Sequence, residues 1–277
     1  MTQGSAGSRL VFDRVTVRFA GVLAINELSF TIEPGQLFGL IGPNGAGKTS
    51  ALNVISGVYR PASGTATFDG HDLSRAAPYD IARLGIARTF QNLALFKGMS
   101  VLDNILVGRY IHRRSGLLAG GLWLPSASRD EVRQREKAEE IIDLLEIQTH
   151  RHTVVGGLPY GIQKRVELGR ALAMEPRLLL LDEPMAGMNL EEKEDMARFI
   201  LDVRETLAPA MLLIEHDMRV VMDIAERIAV LDFGRKIAEG TPAEVQADAG
   251  VVAAYLGTAN SHDATVEQLL EEAPAEA

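Results

Sequence analysis

The stretch Gly42-Pro43-Asn44-Gly45-Ala46-Gly47-Lys48-Thr49 decides the fold, because it fits G-x-x-x-x-G-K-[ST] in the setting that pattern requires. Leu37 to Ile41, just before it, is a short apolar run that reads as a buried strand, and a helix start follows. Phosphate chemistry dictates these residue types. Glycines let successive backbone N–H groups turn inward on an anion, and the helix N-terminus adds partial positive charge. Lys48 can reach β and γ oxygens, Thr49 can supply an oxygen to Mg²⁺, and Ser50 continues the same turn. Gly42 to Ser50 is therefore read as a nucleoside-triphosphate site rather than a glycine-rich turn.

The second half carries matching acids. Leu178-Leu179-Leu180-Leu181-Asp182-Glu183 reads as a buried strand ending in two carboxylates. An acid there can hold the Mg²⁺ shared by the β and γ phosphates, and Asp182 takes that part. Glu183 can point at a water in line with the γ-phosphate, where a general base is needed. Beyond the pair, Asn189 predicts a helix cap with Glu191 and Glu192 in the first turn. Met196, Phe199, Ile200, Val203 and Leu207 fall on one stripe of that helix. Strands are expected at Met211 to Ile214 and at Ile228 to Leu231. The helix between them presents Met218, Val221, Met222 and Ala225 on one face. Thr241-Pro242-Ala243-Glu244 is a capping box with Pro at the first helical position. Strands alternating with helices imply a parallel sheet covered on both faces.

Upstream, Leu10, Phe12, Val15, Val17 and Phe19 alternate with polar residues, as do Leu28, Phe30 and Ile32. With Thr65 to Phe68, closed by Asp69-Gly70, they predict a small antiparallel sheet. From about residue 92 to 173 the pattern is helical, apart from an irregular stretch, Arg109 to Ser128, that holds the only Trp, Trp123. Its basic cluster, Arg109, Arg113 and Arg114, is read as a solvated loop, with lipid headgroups as the alternative. Residues 9–257 are expected to form one domain. Its core and β subdomain take residues 9–91 and 174–257, with a helical subdomain inserted at about 92–173. Residues 258–277 are expected to form a mobile acidic tail.

Composition narrows the classes. The 277 residues are 47% hydrophobic and 23% charged, which suits a globular chain. Net charge is −9, and the last twenty residues hold five acids and no Lys or Arg. A basic footprint for nucleic acid is absent from the remainder. The chain has no cysteine, which excludes disulfides, thiolate catalysis and Cys-ligated metal. Its apolar runs are strand-sized, below the ~18 residues of a membrane span, and Met1 to Ser8 lacks an apolar signal core. A cytoplasmic placement is expected, unless a partner holds the chain elsewhere.

In this order the motifs resemble those of ABC-transporter nucleotide-binding subunits, over roughly Leu10 to Gly257. The resemblance implies an α/β fold, a P-loop NTPase (RecA-like) core with a small antiparallel β subdomain and an inserted helical signature subdomain. It implies ATP as the nucleotide, with Mg²⁺. It gives Phe19 the part of an aromatic stacked on adenine, although read alone Phe19 is a strand residue. Gln91, in Arg88-Thr89-Phe90-Gln91-Asn92, matches the glutamine that links the Mg²⁺ and γ-phosphate region to the membrane subunit. His216, in Ile214-Glu215-His216-Asp217, matches the switch histidine that contacts γ-phosphate and the attacking water.

The signature departs from pattern. The family's L-S-G-G-Q stands here as Leu158-Pro159-Tyr160-Gly161-Ile162, followed by Gln163. In the family this segment closes over ATP held by the opposite subunit. Pro159 has neither a hydroxyl nor a backbone donor, and Asn189 stands where many relatives have an aspartate. A second ATPase subunit with a complete signature is therefore expected, a homodimer being the alternative.

Tyr160-Gly161, Ala186-Gly187-Met188-Asn189, Glu215-His216-Asp217-Met218 and Ala254-Tyr255-Leu256-Gly257 resemble the G-type ATPase of branched-chain amino-acid importers. Urea or short-amide importers and lipopolysaccharide extractors have similar ATPases and stay open as alternatives. The resemblance implies permease subunits as partners, a solute-binding protein indirectly, and placement on the cytoplasmic membrane face. A soluble translation-type ABC ATPase would carry two cassettes and basic linkers. A chromosome-type one would insert a long coiled coil, but Lys48 and Asp182 are only 182 − 48 = 134 positions apart. A non-hydrolysing scaffold is disfavoured by Glu183 and His216.

Overall fold

The computed structural model describes residues 8–19, 21–91, 93–112 and 125–256. The chain opens with β1 (Leu10–Phe19), β2 (Val22–Ile32), β3 (Leu37–Ile41) and α1 (Lys48–Ile55). β4 (Ser63–Phe68), β5 (His71–Asp72), α2 (Pro78–Arg83) and β6 (Ile86–Arg88) follow. A helical stretch comprises α3 (Val101–Gly108), a 3₁₀ turn at Arg109–His112, α4 (Pro125–Leu144) and α5 (Tyr160–Leu172). The chain then returns to the sheet through β7 (Leu178–Asp182), α6 (Leu190–Leu207), β8 (Ala210–Ile214), α7 (Met218–Ile224), β9 (Arg227–Asp232) and β10 (Arg235–Gly240). α8 (Pro242–Gln246) and α9 (Ala249–Leu256) close the described chain.

One sheet runs β2-β1-β4-β5 and is antiparallel; the other runs β10-β9-β3-β8-β7-β6. Strand alternation feeds two cores from one sheet. Leu37 and Ile41 of β3, Leu179 and Leu181 of β7, and Met211 and Leu213 of β8 face the helices. Phe38 and Leu40, Leu178 and Leu180, and Leu212 and Ile214 face α1 and the antiparallel sheet. There Phe30 stacks between Phe12 and Phe38, with ring centroids 4.7 and 5.4 Å apart. The strands are apolar on both faces because both are covered. Both expected caps form, as capping boxes at Asn189 with Glu192 and at Thr241 with Glu244.

Several expectations need correction. The second sheet is not wholly parallel: β10 runs antiparallel along its edge, paired to β9 from Asp232 opposite Arg235. The linking turn has Phe233 at φ 41° and Gly234 at φ 78°, a two-residue hairpin geometry that the sequence hides by placing Phe first. Leu207 lies on the expected α6 stripe but is exposed, because the helix ends there as the chain leaves the core. Arg109 is not in a solvated loop. It is buried, with Nε donating to Gln134 and Nη1 to the Ala173 carbonyl and Glu175. The stretch from Arg109 to Ser128 is helical at both ends. Arg113, Arg114, Trp123 and the tail at 258–277 lie outside the described residues. No helix among the described residues is long and apolar enough to cross a membrane.

Candidate functional site

Strands β3, β8, β7 and β6 are adjacent and parallel, so the segments after their C-terminal ends converge on one edge. The phosphate-loop motif follows β3, His216 follows β8, Asp182 ends β7 with Glu183 next, and Gln91 follows β6. Sequence-distant groups meet there by topology alone.

The loop backbone lies where side chains cannot. A Cβ on Gly42 (φ 148°) would sit 2.1 Å from the Leu231 carbonyl oxygen, and one on Gly47 (φ 103°) 2.5 Å from that of Ala24. Gly47 caps α1 with no side-chain acceptor, which leaves first-turn N–H groups for an anion. The hairpin between β9 and β10 braces the loop, since Gly234 N donates to the Ala46 carbonyl at 3.0 Å. Lys48 Nζ donates to the carbonyls of Gly42 (2.5 Å) and Pro43 (3.0 Å), holding the ammonium across the loop. Burial pushes its pKa down, against the opposing pull of the Glu183 and Asp182 charges. Asn44, Gly45 and Thr49 are exposed at the mouth, with Pro43 and Ser50 half-buried beside them.

Across the mouth stand the acids. Glu183 has a left-handed backbone (φ 49°), costly for a non-glycine residue, and its N–H donates to the Ile214 carbonyl at 2.9 Å. That turn aims its carboxylate at two neighbours. Gln91 Nε2 donates to Oε2 at 2.7 Å, and His216 Nε2 lies 2.5 Å from Oε1. Asp182 pairs with Arg88 Nη2 at 2.7 Å, both side chains nearly buried, and its N–H donates to Thr89 Oγ1 at 3.2 Å.

Two residues here escape sequence reasoning. Arg88 links Asp182 to Asn53 Oδ1 of α1 at 2.8 Å, and its buried Nε has no hydrogen-bond partner. An Arg ending a buried strand was the only available signal. Glu215 is buried and accepts from the N–H groups of Met185 (2.7 Å) and His216 (3.1 Å), shaping both loops. Burial pushes its carboxyl pKa up, those two N–H groups opposing. The sequence marks its neighbour His216 but gives Glu215 itself no such part.

Phe19 and the signature stand apart from this cluster. Phe19 is half-exposed at the end of β1, in edge contact with Tyr59 (centroids 4.5 Å, planes at 65°). Pro159 occupies the N-cap of α5 and gives it no side-chain hydrogen bond. Tyr160 packs its ring on Gly187, and a Cβ on Gly161 would lie 2.5 Å from Glu192 Oε1 at the start of α6. Leu158 is buried, Ile162 packs against the helical core, and Gln163 Nε2 donates to the Leu158 carbonyl at 2.7 Å.

The profile described as "ABC transporter" matches residues 25–186. The chain belongs to the ABC transporter family. A second profile, "Branched-chain amino acid ATP-binding cassette transporter", matches residues 235–260 of this ABC subunit. It is 39% identical over 245 residues to the high-affinity branched-chain amino acid transport ATP-binding protein BraF of Pseudomonas aeruginosa, covering 88% of this chain and 96% of that protein. It is 37% identical over 243 residues to LivG of Escherichia coli, covering 88% and 95%. The ADP conformation of MJ1267, an ATP-binding cassette of an ABC transporter, superposes with a TM-score of 0.78 at 30% identity, covering 90% of this chain and 98% of that one. The fold is that of an ABC ATPase cassette. As such it binds nucleotide and couples ATP hydrolysis to transport.

Proposed function

We propose that this subunit drives an importer of branched-chain amino acids, the transport its relatives BraF and LivG are named for. The observation that carries the hydrolytic part is the Glu183 carboxylate, held by Gln91 and His216 beside the phosphate loop. ATP phosphates seat on backbone N–H groups of the loop from Gly42 to Thr49, other than Pro43, which has none, with Lys48 on the β and γ oxygens and Ser50 in the same turn. The adenine lies on Phe19. Thr49, Gln91 and Asp182 would hold Mg²⁺ through oxygen donors beside the loop, and the cation would supply charge neutralisation for the β and γ phosphates. Glu183 takes a proton from the water attacking the γ-phosphorus while His216 and Gln91 orient both groups. Lys48 stabilises charge on the transferring phosphoryl group.

The domain is taken as residues 9–257, with the helical subdomain at about 92–173. Leu158 to Gln163 would close on the ATP of a second ATPase subunit. Closure and reopening of that pair drive permease subunits at the cytoplasmic membrane face, fed by a solute-binding protein. The test is reconstitution of the complex in proteoliposomes with its binding protein. Leucine, isoleucine or valine should stimulate ATP turnover and enter the vesicles. Stimulation by urea, short amides or lipopolysaccharide instead would overturn the substrate assignment.

A further inference from the structure

The segment that carries Gln91 changes its anchorage within one residue. Thr89 belongs to the core sheet: its N–H donates to the Leu180 carbonyl at 2.9 Å, and its hydroxyl oxygen accepts from Asp182 N at 3.2 Å. Phe90 belongs to α5. Its N–H donates to Glu167 Oε1 at 3.2 Å, and the same oxygen accepts from Ala94 N at 3.5 Å. Lys164 Nζ donates to the Gln91 carbonyl at 3.3 Å and faces Glu167 Oε2 at 3.7 Å. Arg170 hydrogen-bonds the Ala94 carbonyl. Lys164, Glu167 and Arg170 are spaced i, i+3, i+6, one face of the helix that opens with the signature. Glu167 and Lys164 are nearly fully buried, so this clamp is not a solvated surface pair.

Gln91 thus has its backbone held by the signature helix while its side chain holds Glu183 of the core. We propose that Glu167 is a positioning residue for Gln91: by accepting from the N–H groups of Phe90 and Ala94, on either side of Gln91, it fixes where that side chain stands relative to Glu183. Glu167 touches neither nucleotide nor water in this scheme. It acts through Gln91, and the inference rests on the reading above that Gln91 and Glu183 serve hydrolysis.

The test uses the intact transporter complex and two matched double variants, Lys164→Met with Glu167→Gln and Lys164→Met with Glu167→Leu. Both lose the same charges, and Gln and Leu have similar bulk; only Gln keeps an oxygen for the Phe90 and Ala94 N–H groups. The Leu version is expected to turn over ATP at least tenfold more slowly than the Gln version, with nucleotide Kd and Tm matched between them. Equal kcat, or a loss shared equally with nucleotide affinity, overturns the proposal. Should the Leu version not accumulate, Glu167→Asp withdraws the acceptor by one methylene while keeping the ion pair. It is expected to lower kcat at least threefold, and wild-type turnover there overturns the proposal as well. Failure of the hydrolytic reading looks different, since Glu183→Gln would then keep wild-type turnover whatever stands at position 167.

Discussion

His216 Nε2 lies 2.5 Å from Glu183 Oε1, while Gln91 Nε2 donates to the other oxygen of the same carboxylate at 2.7 Å. The acid, on a left-handed backbone, is oriented from both sides. His216→Ala should leave nucleotide affinity within about twofold and lower kcat by about 10²-fold, as loss of one preorganised group does. Parallel measurement of turnover and nucleotide Kd checks this; unchanged kcat would remove His216 from the site.

The nearly buried Arg88–Asp182 pair makes a prediction about metal. Removing one partner of such a pair costs about 3–5 kcal/mol, because the other charge stays buried. Arg88→Ala should show most of that loss in EDTA. With Mg²⁺ and ADP the loss should shrink, since a cation at Asp182 takes over the guanidinium's part. Tm in the two conditions decides it, and an equal loss in both would argue against Asp182 as a Mg²⁺ ligand.

Glu215 gives the chain a pH dependence. Burial holds its carboxyl pKa above the unfolded value of about 4.3, so the folded chain keeps the proton more tightly. The resulting stability is fully present below the unfolded pKa and is lost as pH rises through the folded one. Glu215→Gln should flatten this part of the stability–pH curve, by at most one proton per molecule. Urea midpoints of both proteins, taken stepwise upward from pH 4, would expose the error if the slopes coincide.

Local signals made most of this architecture legible. Leu37 to Ile41 is fully apolar because β3 is covered on both faces, and the Asn189 and Thr241 caps form because their side chains reach N3. What stayed hidden depends on through-space partners. β10 alternates poorly, with Phe233 rather than Asn or Gly opening its turn. Arg109 looks like a surface cation until α4 brings Gln134 beside it. Arg88 and Glu215 have partners on other segments that no spacing rule marks, and the i, i+3 spacing of Lys164 and Glu167 does not reveal that they hold the Gln91 and Phe90 backbone.

The signature makes a prediction about pairing. At the α5 N-cap, Pro159 supplies no side-chain hydrogen bond. A serine's bond to a charged oxygen is worth roughly 1.5–3 kcal/mol, or about ten- to 150-fold in a step that uses it. Changing the signature serine of a partner ATPase to Ala should therefore slow uptake far more than Pro159→Ala does here. Equal damage from the two changes, or full-rate uptake driven by this chain paired with itself, would contradict an unequal pair.

The central claim is that Glu183 is the base of an ATP-hydrolysing site whose phosphates and metal are held by other residues. Turnover and nucleotide affinity of Glu183→Gln, measured on the same purified complex, test it most directly. The account predicts unchanged affinity and turnover lowered by about 10²–10⁴-fold, the range of a positioned general base. A loss of turnover smaller than about tenfold, with affinity intact, would contradict it.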